Sequence, residues 1–243
     1  MDGALSTKLW NDVSDVLIVE KGTTVQINIE LGNDQTSVFR VYNEVNKNHN
    51  HLRNCWNFAN EVSEFKANTY RKNRKDKGNM YIVGTGMFPN GQHGLYELTN
   101  EPTIVPHLSN LSSSATNYYT DIGYKQSVND MIVKRKHPIH DVMAGSFVSS
   151  IVVSCNLMNS FHVDVNDDTK TILTWVTNNL LTSNNWYFIL PNVTRDMKTA
   201  LVLKIEHGVT IEFDSTTVFH CSTSNIDDNE TKLCGIVFVC RKD

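Results

Sequence analysis

Nowhere in the chain is there a run of 18 or more apolar residues, so a helical membrane span and a membrane partner are not expected. An excess of positive charge is also missing. The formal net charge is −4, so the molecule as a whole is no electrostatic glove for a polyanion. None of the 5 cysteines (Cys55, Cys155, Cys221, Cys234, Cys240) forms a CxxC pair, which excludes a zinc ribbon or a thioredoxin motif. Scattered and odd in number, they read as reduced, buried thiols of an intracellular protein, nuclear or cytoplasmic. The first twenty residues lack the basic start and long apolar stretch of a signal peptide. No internal repeat or low-complexity segment interrupts the chain. What remains, 243 residues with 40% hydrophobic and 20% charged, is ordinary globular composition.

The pattern changes along the chain. In "DVLIVEKGTTVQINIEL" (15–31), Val25, Ile27, Ile29 and Leu31 alternate with polar neighbours, and Lys21-Gly22 offers a turn, so a β-hairpin is expected. In "HLRNCWNFANEVSEFKANTYRKNRKDKG", the residues Leu52, Cys55, Trp56, Ala59, Val62 and Phe65 follow helical spacing, with Gly78 as the stop. Residues 79–130 carry Gly and Pro punctuation and a Ser-rich "LSNLSSSATN", which predicts loops with short strands. From about 146 the text is strand and turn: "SFVSSIVVSC", "TKTILTWVT", "NWYFILPNV", "ALVLKIEHG", "VTIEFD", "TVFHCST" and "KLCGIVFVC". Such a series argues for a sandwich, jelly roll or barrel. The expected class is α+β, mainly β: one domain, with 1–145 as a helix-containing support packed on a core of 146–243.

Of the 9 histidines, His162 and His220 sit at strand ends with a plausible partner. His162 and Asp164 in "FHVDVND" are two apart, so on an extended backbone both side chains share a face while Val163 points away. With the strand-borne His220 of "TVFHCST" they make a two-histidine, one-carboxylate set, which leaves positions open on a non-haem iron. The plainer reading makes Asp164, Asn166, Asp167 and Asp168 turn residues and His220 a hydrogen-bonded core histidine.

This succession, His-x-Asp, several strands, a strand-borne His and a following basic residue on the last long strand, resembles the Fe(II)/2-oxoglutarate dioxygenases over about residues 146–240. The resemblance implies a double-stranded β-helix, iron held by His162, Asp164 and His220, and 2-oxoglutarate and dioxygen as co-substrates. Oxidative decarboxylation of 2-oxoglutarate is then coupled to hydroxylation of a substrate C–H bond. A late Arg or Lys of that family grips the distal carboxylate of 2-oxoglutarate, and the matching position here is Lys232, with Lys204 as the competing anchor. On the last strand Lys232, Cys234, Ile236 and Phe238 share a face, which is expected to point into the barrel.

Within that superfamily, "HVDVND" and "NWYFILPNV…HGVTIEFDSTTVFHCST" are most similar to the TET/JBP-type nucleic-acid oxygenases, which oxidise the methyl group of thymine or 5-methylcytosine. The chain departs from them in offering lysine where they use arginine. The basic runs "YRKNRKDK" (70–77) and "VKRKH" (133–137) are candidate phosphate contacts. Tyr118 and Tyr119 are candidates for stacking on a flipped base, or for plain packing. An oxygenase acting on a protein side chain or small metabolite, and a metal-free jelly-roll binding module, fit the same residues.

Overall fold

A computed structural model describes residues 15–19, 24–30, 35–43, 49–67, 77–87, 92–135, 143, 145–178, 186–191, 193–194, 198–224 and 232–242. The strands are Asp15–Val19 (β1), Thr24–Glu30 (β2), Thr36–Tyr42 (β3), Lys77–Met87 (β4), His93–Leu95 (β5), Ser150–Met158 (β6), Asp167–Thr177 (β7), Trp186–Leu190 (β8), Thr199–Lys204 (β9), Thr210–Asp214 (β10), Cys221–Ser224 (β11) and Leu233–Arg241 (β12). Helices run over Asn50–Ser63 (α1), Ile104–Tyr119 (α2) and Lys125–Lys134 (α3).

Two sheets face each other. The larger has the order β2-β3-β10-β7-β12-β6-β4-β5 and the smaller β1-β9-β8-β11. After β6 the chain passes back and forth between them, giving a jelly-roll-like β sandwich. All seven strand segments expected after residue 146 are present. The reason is compositional: β-branched and aromatic side chains suit a pleated, half-buried surface. Leu173, Trp175, Phe188, Leu203, Ile211 and Phe213 fill the space between the sheets. The other face of the large sheet, through Cys234, Ile236 and Phe238, packs against α1 and α2.

The N-terminal half departs from expectation in three places. β1 and β2 do not form a hairpin. β1 pairs in parallel with β9 in the small sheet, while β2 pairs with β3 in the large one, and the Lys21-Gly22 turn lies outside the described residues. Helix α1 ends at Ser63, and Gly78 lies in β4, where the register with β6 shifts between Lys77 and Asn79. Gly78 has φ +91, and a Cβ there would stand 2.3 Å from the Asn156 carbonyl oxygen, so the position demands glycine. Third, the Ser-rich stretch is helical. Ile104, Leu108, Leu111 and Ala115 form one buried stripe, and Ser113 and Ser114 turn their hydroxyls back onto the Ser109 and Leu111 carbonyls.

The five cysteines are buried and free. Tyr118 and Tyr119 pack rather than stack on a ligand: both are buried, and the Tyr119 hydroxyl lies 2.9 Å from Thr174 Oγ1. No helix among the described residues is long and apolar enough to cross a membrane.

Candidate metal centre

His162 follows β6 on a short extended segment tied to the start of β11. The Asn159 N–H donates to the Ser222 carbonyl and the Ser222 N–H to Asn159 Oδ1. His162 and His220 form an antiparallel bridge, exchanging two N–H···O bonds of 3.0 Å. Asp164 is placed by its own N–H on the Ser215 carbonyl, 2.8 Å away. Backbone pairing therefore holds the three positions, and the side chains converge from the segment that follows β6 of the large sheet and from the residue that precedes β11 of the small one.

Asp164 Oδ1 lies 3.6 Å from His162 Nε2 and Asp164 Oδ2 lies 3.4 Å from His220 Nε2. The candidate ligand atoms of the three residues all fall within 4.8 Å of one another. The ring of His220 is stacked on Phe188 and meets the edge of Phe213, so the apolar core walls one side. Both histidines are buried, and the Asp164 side chain keeps 26% exposure, so the cluster reaches solvent on the carboxylate side.

The tautomers follow from the partners. His162 Nδ1 lies 2.8 Å from the Ser160 carbonyl and His220 Nδ1 lies 3.0 Å from the Val218 carbonyl. A carbonyl only accepts, so each Nδ1 carries a proton, which leaves Nε2 as the atom that faces the carboxylate and that offers a lone pair in this tautomer. Three acceptors facing one another need a cation or a proton between them. A proton on one Nε2 makes a single ion pair, whereas a divalent ion serves all three donors at once. Ligands at right angles on bonds of about 2.1 Å stand about 3 Å apart, so small side-chain adjustments close the set. The residues fit a divalent transition-metal ion. Fixing a ligating histidine through a backbone carbonyl on its other nitrogen is the usual supporting arrangement.

Sequence reasoning treated Asp167 as a turn residue, and the structure corrects this. Asp167 is buried at the first position of β7, donates its N–H to the Asp164 carbonyl, and receives the Arg241 guanidinium and the Ser215 hydroxyl on its carboxylate. Burial pushes its carboxyl up to about 6, against the pull of Arg241 and with the push of Asp164. The Lys242 N–H donates to the Asn166 carbonyl, so the end of β12 clamps the whole 164–167 corner. A lone arginine ending an apolar strand was the one visible signal.

Lys232 is not where the resemblance puts it. Its Nζ donates to Asn60 Oδ1 (2.9 Å) and Ser63 Oγ (2.7 Å) of α1 and sits over the Trp56 ring. The face it shares with Cys234, Ile236 and Phe238 is the helix-covered one, so the large sheet stands between it and the histidines. Lys204 makes a 3.9 Å surface pair with Glu206. No lysine or arginine is buried among the described residues. The described residues therefore do not fit the distal carboxylate of 2-oxoglutarate. Of the basic runs, 70–76 and 136–137 lie outside the described residues, and Lys134 is engaged by Asp168 at 2.9 Å.

The molecule is thus a jelly-roll-like sandwich that carries a His/Asp/His cluster. No protein-family profile and no curated protein sequence matches the chain. Among solved structures it is similar to NgTET1 in complex with 5mC DNA, with a TM-score of 0.58 and 12% identity over 100% of this chain and 92% of that one. It is more loosely similar to an oxidoreductase of the 2OG-Fe(II) oxygenase family from Burkholderia pseudomallei (TM-score 0.44, 12% identity, 84% of each chain). The same holds for a prolyl-4-hydroxylase from Pseudomonas putida (TM-score 0.43, 8% identity, 84% of this chain and 93% of that one). At such identities the likeness is one of fold.

Proposed function

We propose that this chain is a non-haem Fe(II) oxygenase on a double-stranded β-helix, with His162, Asp164 and His220 as its metal ligands. The observation that carries the reading is the convergence of those three side chains, both histidines holding an Nδ1 proton against a backbone carbonyl. The sheet order supports the architecture: β10-β7-β12-β6 of the large sheet face β9-β8-β11 and the His162 segment. Iron in such a set supplies dioxygen activation, with positions left open for a co-substrate.

The chain's own residues perform the rest. The backbone bridge between His162 and His220 sets the ligand spacing, Asp167 and Arg241 orient the Asp164 corner, and Phe188 and Phe213 keep one side dry. The leading substrate class is a methylated nucleobase. The full-length likeness to a structure that holds 5mC DNA supports it, and the basic run 70–77 offers phosphate contacts.

Co(II) titration under anaerobic conditions tests the metal reading. The wild type takes up one equivalent with visible d–d bands, and His162→Ala and Asp164→Ala weaken uptake at least about 100-fold. Equal, weak uptake by all three proteins overturns it. For the substrate, metal-loaded protein is expected to bind methylated duplex DNA with a Kd that rises on the order of 10³-fold between about 50 and about 200 mM salt. Metal uptake with no DNA affinity at any salt shifts the reading to a protein side chain or metabolite.

A further inference from the structure

Cys155 of β6 and Cys234 of β12 are register partners on neighbouring antiparallel strands, and their sulfurs stand 2.7 Å apart. Directly opposed residues of an antiparallel pair have Cα atoms about 4.5–5.5 Å apart, inside the range that a disulfide bridges. Closing the gap to a bond of about 2.05 Å moves each sulfur by about 0.3 Å, with no change of register. Both side chains lie on the helix-covered face of the large sheet, in the core that includes Tyr81 and Val62.

The two sulfurs are not equivalent. Cys234 is 0% exposed and Cys155 6%, so a small reagent from solvent meets Cys155 first. Cys155 also pairs with Asn79, at the bulge of β4, where the ladder is locally broken. The Cys234 S–H donates to Cys155 and the Lys232 ammonium adds a positive charge, so the Cys155 thiol is pulled below its ordinary value despite burial. The same hydrogen bond, together with burial, pushes the Cys234 thiol up. Burial raises the thiols of Cys55, Cys221 and Cys240. One sulfur of the five is thus the nucleophile, and a second stands against it.

We propose that Cys155 and Cys234 form a redox-active dithiol that hydrogen peroxide converts to a cross-strand disulfide. The Cys155 thiolate attacks one peroxide oxygen. An S–O bond forms, the O–O bond breaks, and the hydroxide that leaves takes up the proton Cys155 gave up. The Cys234 sulfur then attacks the sulfenic sulfur to form the S–S bond, and the hydroxyl leaves as water with the Cys234 proton. Two thiols and one peroxide give one disulfide and two waters. The sulfurs lose two electrons and the peroxide oxygens gain them. A dithiol reductant reverses the step by exchange.

The bond closes a loop from Cys155 to Cys234 that contains His162, Asp164 and His220. It restricts the unfolded chain while the folded register stays as it is, so oxidation stabilises the molecule.

The experiment treats the full-length chain with hydrogen peroxide in the presence of a chelator, so that no bound metal consumes the oxidant. Two of the 5 thiols are expected to disappear from a titration made after denaturation. Peptide mapping without reductant is expected to join the peptides that carry Cys155 and Cys234, and dithiothreitol to separate them. Tm is expected to rise by about 5–10 °C on oxidation. Cys155→Ala is expected to keep its remaining thiols under the same treatment. Cys234→Ala is expected to stop at a Cys155 sulfenic acid, which dimedone traps. Retention of all 5 thiols in the wild type, a disulfide between any other two cysteines, or a sulfinic acid in place of the bond overturns the proposal. A Tm that is unchanged or lower overturns the stabilising role. If either variant fails to fold, the wild-type thiol count and peptide map still decide.

Discussion

His51 sits in the core with its ring nitrogens 3.0 Å from Ser114 Oγ and 3.2 Å from the Tyr119 hydroxyl. Burial, with a smaller push from His49, lowers its pKa to about 3. The unfolded chain takes up this proton near 6.5 and the folded one does not, so stability is constant above about 6.5 and falls as pH drops toward 3. The loss is about 2 kcal/mol at pH 5. Urea midpoints of the wild type and His51→Gln at pH 7.5 and 5.0 check this: the variant, less stable at the higher pH, loses less between the two. At the metal corner, Arg241→Met leaves Asp167 buried without its cation. It is expected to cost about 3 kcal/mol in stability and to weaken Co(II) binding about 10- to 100-fold, read by thermal unfolding and by the Co(II) spectrum. His162, Asp164 and His220 were legible because residue type and a spacing of two on a strand state a face directly. Lys232 was misplaced because alternation says which residues share a face but not which face is inward. Leu233, not Lys232, points between the sheets.

Among the elements, the strands after residue 146 were legible because β-branched and aromatic runs of that length bury well only in sheets. Helix α2 was not, since serine is a poor signal for a helix interior. It is helical because its Ile104–Leu108–Leu111–Ala115 stripe meets α1 and the large sheet. Partner choice is similarly non-local. β1 reads as half of a hairpin, yet its partner is β9, more than half the chain away. The bulge of β4 gives a test at this scale. Gly78→Ala is expected to destabilise the fold by at least about 1–2 kcal/mol, from its φ of +91 and the crowding by Asn156. Thermal unfolding measures the loss, and Co(II) stoichiometry stays at one, because the bulge sits on the large sheet and not at the ligands.

For the molecule as a whole, a metal at the triad joins the segment after β6 to β11 and so couples ligand binding to stability. At a free Co(II) concentration about 100 times Kd, binding contributes about 2.7 kcal/mol, which for a chain of this length raises Tm by about 5–10 °C. Calorimetry with Co(II) and with excess chelator measures the shift, and His162→Ala abolishes it. The amino-acid sequence by itself determined the run of β-strands, the two helical-face and strand-face alternations that bury the core, and the three residue types of the candidate metal site. These are local properties, set by side-chain branching, polarity and the periods of the backbone. Only the tertiary structure decided that β1 and β2 part into different sheets, that Asp167 and Arg241 brace the Asp164 corner, and that Lys232 faces α1 on the far side of the large sheet. Each depends on which surface meets which across the sandwich, and that is settled by the joint burial of segments distant along the chain.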